Sequence, residues 1–179
     1  MTGDLIPAKV LATHTIANVS ETLAEKLGLP PQYRSIGIIT ADSDDVTYCA
    51  LDEATKAAAV EVVYGRSLYA GAANASTKLA GEVIGILAGP NPAEVQSGLR
   101  ACAEFMDSGV GFRSANEDDS ILYFAHTVSR TGTYLSKTAN VREGEALAYL
   151  IAPPLEAVVG LDEALKASDV ELAALFEPP

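Results

Sequence analysis

The 179-residue chain has no tryptophan, and only 6% of its residues are aromatic. The abundant Ala and Gly let helices and sheets approach closely, and they suit flat, tightly packed subunit faces. Cysteine is scarce too. Cys49 and Cys102 stand alone, without the paired spacing of a disulfide framework or a structural zinc site. Free thiols fit a reducing compartment, such as a bacterial cytosol. No apolar run approaches the roughly 18 residues of a membrane-spanning helix, so a membrane partner is not expected. The N-terminal MTGDLIPAKV lacks a basic segment followed by an apolar stretch, so no secretory signal is expected. Basic residues are few: 12 Lys and Arg against 24 Asp and Glu leave a net charge of −12. Such a polyanion repels phosphate backbones, which excludes nucleic acid as a partner and favours small cations. There is no G-x-S-x-G elbow, no glycine-rich phosphate loop ending in Gly-Lys, and no metal-ligand spacing of His and Cys. An enzyme is not expected, although a triad assembled in space would leave no local motif.

What the chain does have is apolar content of 49%, enough for a packed core in one ordinary domain or two small ones. It also has an internal repeat. LDEATKAAAVEVV at 51–63 and LDEALKASDVELA at 161–173 are identical at eight of thirteen positions, 110 residues apart. His14-Thr15-Ile16 matches His126-Thr127-Val128 at an offset of 112. Two matches in the same order at nearly one offset point to duplication rather than to chance in an Ala-rich helix.

Local patterns predict alternating strands and helices. The β-branched stretch 10–19 reads as a strand, and 20–28 as a short helix capped by Ser20 and ended by Gly28. A strand over 35–40 leads to a turn of capping residues, Asp42 to Asp45. A short strand is expected over 46–50, a helix over 52–59 and a strand over 60–64. A long loop of small and polar residues follows over 65–80, then a strand over 81–88 and a helix over 93–106. The second copy starts near Gly111, with strands over 121–128 and 146–151, a helix around 164–167 and a strand over 170–176. This gives an α/β (α+β) chain of two units, 1–110 and 111–179. The second lacks the last strand and helix of the first, which implies either a truncated form or a neighbouring chain that covers the gap.

The segments IGIITADSDDVTYCALDEATKAAAVEVVYGRSLYAG, AGEVIGILAGPNPAEVQSGLRACAEFMDSGVGF, VSRTGTYLSKTA and AYLIAPPLEAVVGLDEALK carry a family resemblance. They resemble the tandem-domain bacterial microcompartment shell proteins, and among these the ethanolamine-utilisation type called L. The match runs over the whole chain. DSDDVTY, VVYGRSLYAGA and LAGPNPAE are long, uninterrupted and specific. The resemblance implies two circularly permuted shell domains, a homotrimer with a hexagonal outline, and tiling with other shell proteins into a facet.

It also bears on single residues. By themselves, Asp42 and Asp44 read as turn caps and Asp45 as solvated. The resemblance implies instead a small pore within each subunit, lined by Asp44, Asp45, Glu82 and Phe112, where carboxylates suit the ammonium of ethanolamine. The run Tyr64, Gly65, Arg66, Ser67, Leu68, Tyr69 reads alone as a surface loop, though two tyrosines and a leucine are unusual in one. The resemblance places it at a central pore, closed by Arg66, Leu68 and Tyr69. His14 and His126 read as core or interface residues. No cofactor is required. The resemblance leaves room for zinc or cobalamin, with no ligand residue assignable. An alternative is a soluble protein that binds or senses ethanolamine, and a remoter one is an enzyme acting on an amino alcohol.

Overall fold

The computed structural model describes residues 2–68 and 82–175. Two four-stranded antiparallel sheets share one core. The first contains β2 (Val10–Ile16), β3 (Ser35–Ala41), β5 (Glu82–Gly89) and β4 (Glu61–Leu68), side by side in that order. The second contains β1 (Leu5–Pro7), β6 (Gly111–Ser114), β7 (Leu122–Val128) and β8 (Leu147–Ile151) in that order. The N-terminal strand thus belongs to the second sheet: Leu5 pairs with Arg113 and Pro7 with Gly111.

Two long helices, α2 (Asp44–Ala57) and α3 (Pro92–Asp107), pack against each other and on the first sheet. On α2, Val46, Cys49, Ala50, Leu51 and Ala54 are buried, at the three- and four-residue spacing of one helix face. The 46–50 segment is therefore helix, and the expected short strand is wrong. Val46 begins a stripe that continues into the LDEA motif, and a strand would have turned alternate residues of that stripe to solvent. Gly37 and Gly85 sit beneath these helices. A Cβ on Gly37 would lie 2.6 Å from Val95 Cγ1, and one on Gly85 2.7 Å from Leu51 Cδ2. On the sheet's other face, α1 (Glu21–Leu27) packs Ala24 and Leu27 against Val19, Ile36, Ile86 and Ala88.

The main core joins the two sheets. Ile39, Leu51, Leu87, Val95 and Cys102 of the first unit cluster with Phe124, Val128 and Leu135 of the second. Each fully buried side chain of this size contributes about 1.5–3 kcal/mol, so the units are held together by the same forces as each interior. α4 (Thr133–Thr138) lies at this junction.

The repeat recurs bond by bond. Gly28 ends α1 at φ 65° and Asn140 follows α4 at φ 54°, the left-handed conformation that Gly and Asn tolerate best. Leu29 N–H donates to Ala24 O at 3.0 Å, and Val141 N–H to Ser136 O at 3.0 Å, both shifted by 112. α5 (Pro154–Ala167) is as long as α2 and offset by 110. After each, the cap N–H returns to the matching carbonyl, Ala54 or Ala164.

Two further expectations are corrected. Residues 65–68 are not loop but the end of β4, because Gly65 to Leu68 find ladder partners in Gly85 to Glu82. Residues 170–175 form no strand. Their counterpart, β4, is held by β5, and among the described residues nothing stands in that place for the second unit. The rest of the expected loop, 69–80, and Phe176 lie outside the described residues.

Candidate functional site

The acidic turn opens α2. Ser43 is the extended N-cap residue (φ −137°, ψ 120°), and Asp44 and Asp45 occupy the first helical turn. Thr47 Oγ1 donates to Ser43 O at 2.6 Å, and Asp42 Oδ1 accepts Lys9 N–H at 2.7 Å. Asp42 is thus fixed to the chain beside β2, while the next two carboxylates serve another corner.

That corner lies between α2 and β4. Asp44 Oδ2 accepts the Ser67 hydroxyl at 2.8 Å, and Asp44 Oδ1 accepts the Asp45 N–H at 2.9 Å. Tyr48, one turn on, stands beside Ser67 and packs its ring 6.3 Å from Tyr134 of α4. Tyr149 of β8 approaches Asp45 closely enough to feel its charge. Burial, then the neighbouring Asp44 carboxylate, pushes the Asp45 carboxyl up to about 7. A helix N-terminus favours negative charge, but here desolvation and like-charge repulsion win. Burial likewise raises Tyr48, Tyr134 and Tyr149 above the ordinary phenol. The corner therefore holds two carboxylates, one titrating near neutrality, among hydroxyl donors.

The expected site residues fall into three groups. Asp44 meets Ser67, which sequence reading had assigned to the pore, and Asp45 stands beside Asp44. Glu82 pairs by backbone with Leu68, one register position beyond the Ser67–Val83 pair. Phe112 stands further off. Its ring lies 5.3 Å from Phe124, whose ring is 6.2 Å from Tyr149. Along β4 the strand alternation separates two roles. Gly65 and Ser67 face α2 and α4, whereas Arg66 and Leu68 are exposed, Leu68 by 53%. Tyr64 is half-buried against the α1-side cluster, and Tyr69 lies outside the described residues.

Tyr48 and Tyr149 were missed by sequence reading. Tyr48 follows Asp44 and Asp45 at helical spacing, a signal hidden by taking 46–50 as a strand. Tyr149 comes from the other sheet and carries no local signal.

Metal donors are not gathered. Among the described residues, no group of three or more His, Cys, Asp and Glu could hold a metal ion. His14 and His126 sit in different sheets. Cys49 and Cys102 are buried, which pushes both thiols up to about 12 and disfavours the thiolate a metal needs. Zinc therefore has no ligand set among these residues, and no residue points to cobalamin.

Comparison with known proteins sets this geometry in a family. Residues 35–115 match the BMC domain. The chain is 70% identical over 179 residues to the bacterial microcompartment shell protein EutL of Clostridium perfringens, covering 100% of this chain and 82% of that protein. It is 56% identical over 176 residues to EutL of Escherichia coli, covering 98% and 80%. The crystal structure of the ethanolamine utilization protein EutL from Leptotrichia buccalis superimposes with a TM-score of 0.91 at 66% identity, over 100% of this chain and 82% of that one. With identity and fold agreeing over its whole length, the chain belongs to the EutL family of bacterial microcompartment shell proteins.

Proposed function

We propose that the chain is a structural shell subunit of an ethanolamine-utilisation microcompartment within the bacterial cytoplasm, and not an enzyme. The observation that carries this is the full-length match, in sequence and fold, to EutL shell proteins. In this reading the chain divides into shell units 1–110 and 111–179. Three copies close a disc of six units around a central opening and tile with other shell proteins. The end of β4, Tyr64 to Leu68, borders that opening in this reading, and Tyr69, the last of the expected pore residues, lies outside the described residues.

The Asp44–Asp45 corner, with Glu82 and Phe112, is the proposed place for ethanolamine. Its ammonium would bond the carboxylates and its hydroxyl a neighbouring hydroxyl side chain. The hydroxyl of Ser43 in the same turn is buried without a partner among the described residues, a group that a polar ligand would satisfy. Ser67 connects the corner to the pore-bordering strand, because Asp44 holds it. A ligand on Asp44 would compete for that bond, and it would shift the pore only through different affinity for the two arrangements.

Native mass spectrometry and electron microscopy test the assembly: trimers, and sheets at high concentration, are expected, and a permanent monomer overturns it. Calorimetric titration of ethanolamine into the chain and an Asp45→Ala variant tests the corner. Equal affinity for both would remove Asp45 from the site.

A further inference from the structure

The end of β4 is held from two sides. β4 is the outer strand of its sheet, so its ladder bonds come from β5: Ser67 pairs with Val83 and Leu68 with Glu82. The second tie comes from α2. Ser67, half-buried, donates its hydroxyl to Asp44 Oδ2 at 2.8 Å. Strand ends with few ties open at low free-energy cost, so the strength of this one bond sets how firmly the last residues of β4 are kept.

The two carboxyls of the corner are fixed differently. Asp44 is tied at both oxygens, Oδ1 by the Asp45 N–H at 2.9 Å and Oδ2 by Ser67. Asp45 leans on Asp44 itself, and burial and the Asp44 charge favour its protonated form. The hydroxyl of Ser43, a residue only 1% exposed, is a donor without a partner in the same turn. The other groups around the pair are Tyr48 and Cys49 of α2, Tyr149 of β8, Tyr134 of α4 and Arg66 of β4. Glu82 of β5 stands opposite Leu68. Burial raises the Cys49 thiol and all three phenols above their ordinary values, so these four keep their protons through neutrality. Further along α2, Asp52 is bonded to Gly132 and Leu135, and Glu53 pairs with Lys56.

We propose that Asp44 and Asp45 form a proton switch that sets how firmly the end of β4 is held. While Asp45 is protonated, its O–H donates to Asp44, and the Asp44 carboxylate divides its charge between Asp45 and Ser67. When that proton leaves to water, the two carboxylates repel. Asp44 stays, because the Asp45 N–H and Ser67 both grip it. The Asp45 side chain turns away, and the Ser43 hydroxyl is a donor for it. Ser67 then faces an undivided charge, and its hydrogen bond strengthens. The end of β4 is thus tighter above neutrality and looser below it. The bearing of this switch on a pore rests on the reading above, in which the same strand end borders the central opening. In that reading, acid loosens the rim.

Amide hydrogen exchange of the full chain at pH 6 and pH 8, corrected for intrinsic rates and read on a peptide covering 61–68, tests this. Protection is expected to rise roughly fivefold from pH 6 to pH 8, the gain of one stronger hydrogen bond. Asp45→Asn, which has no proton to lose, should keep one value at both. Ser67→Ala, which removes the tie but leaves the carboxyls, should be less protected and equally indifferent to pH. Melting curves check that both variants fold. A parallel rise in the parent and Asp45→Asn would overturn the switch, and so would a rise that survives in Ser67→Ala. Native mass spectrometry of the same samples separates the two readings. Trimers without the rise would overturn the switch and leave the assembly standing. The rise in a chain that stays monomeric would support the switch and remove its bearing on the opening.

Discussion

The Asp52 carboxylate and the Gly132 N–H, eighty residues apart, are hydrogen-bonded at 2.7 Å inside the junction of the two units. The same carboxylate takes the Leu135 N–H, so one side chain of the first unit ends the unpaired backbone of a helix in the second. Removing it orphans two buried donors. Asp52→Ala is expected to lower stability by about 2–4 kcal/mol in urea denaturation. Asp52→Asn, which keeps an acceptor, loses less. A loss below 1 kcal/mol for the alanine would mean that water replaces the carboxylate.

Gly132 is needed for space rather than for an unusual backbone. Its φ of −84° is open to any residue, but a Cβ there meets Thr55 Oγ1 at 2.3 Å and Asp52 O at 2.8 Å. Gly132→Ala is expected to cost about 1–3 kcal/mol by overpacking. Combining it with Thr55→Ala should recover part of that loss, since one of the two obstacles is gone. The double-mutant cycle measures this coupling.

Asp45 makes stability depend on pH. Its carboxyl stands at about 7 in the folded chain against an ordinary 3.8, because it is buried beside Asp44. Between those values the folded state holds a proton that the unfolded state has lost. The stability from Asp45 is therefore fully present below about pH 4 and is lost as pH rises through about 7. Asp45→Asn stays neutral throughout. It should match the parent near pH 4 and exceed it at pH 8 by on the order of 1–3 kcal/mol. Parallel stability curves for the two proteins would remove Asp45 as the source.

The same titration should govern the proposed ligand. An ammonium group binds the deprotonated pair better, so ethanolamine affinity is expected to rise as pH increases from 6 to 8, roughly tenfold if one charge is gained. The Asp45→Asn variant should show no such rise in calorimetry.

Both thiols are buried and pushed up to about 12. Neither Cys49 nor Cys102 should react with a thiol reagent at pH 8 in the folded protein, and both should react in urea. Fast labelling of the native chain would show that the α2–α3 contact opens readily.

Much of the fold was legible locally. Gly28 as terminator, the strand at 35–40 and the helix near 93–106 each follow from a few adjacent residues whose pattern repeats within a turn or a pleat. The errors lie where local pattern is ambiguous. Val46 to Ala50 is short and apolar, so either period fits it until the buried face of α2 decides. Residues 65–68 look like loop by composition, and β5 makes them strand by offering a ladder.

The repeat at offsets of 110 and 112 and the family likeness were determined by the sequence alone, because both reside in the order of residues. Tertiary structure decided what the repeated faces do. Asp52 is buried at a junction while its twin Asp162 stands exposed, though LDEA surrounds both. Tyr149 likewise reaches Asp45 from another sheet. Such differences arise from contacts between residues about a hundred positions apart, and neither periodicity nor composition records which surfaces the folded chain brings together.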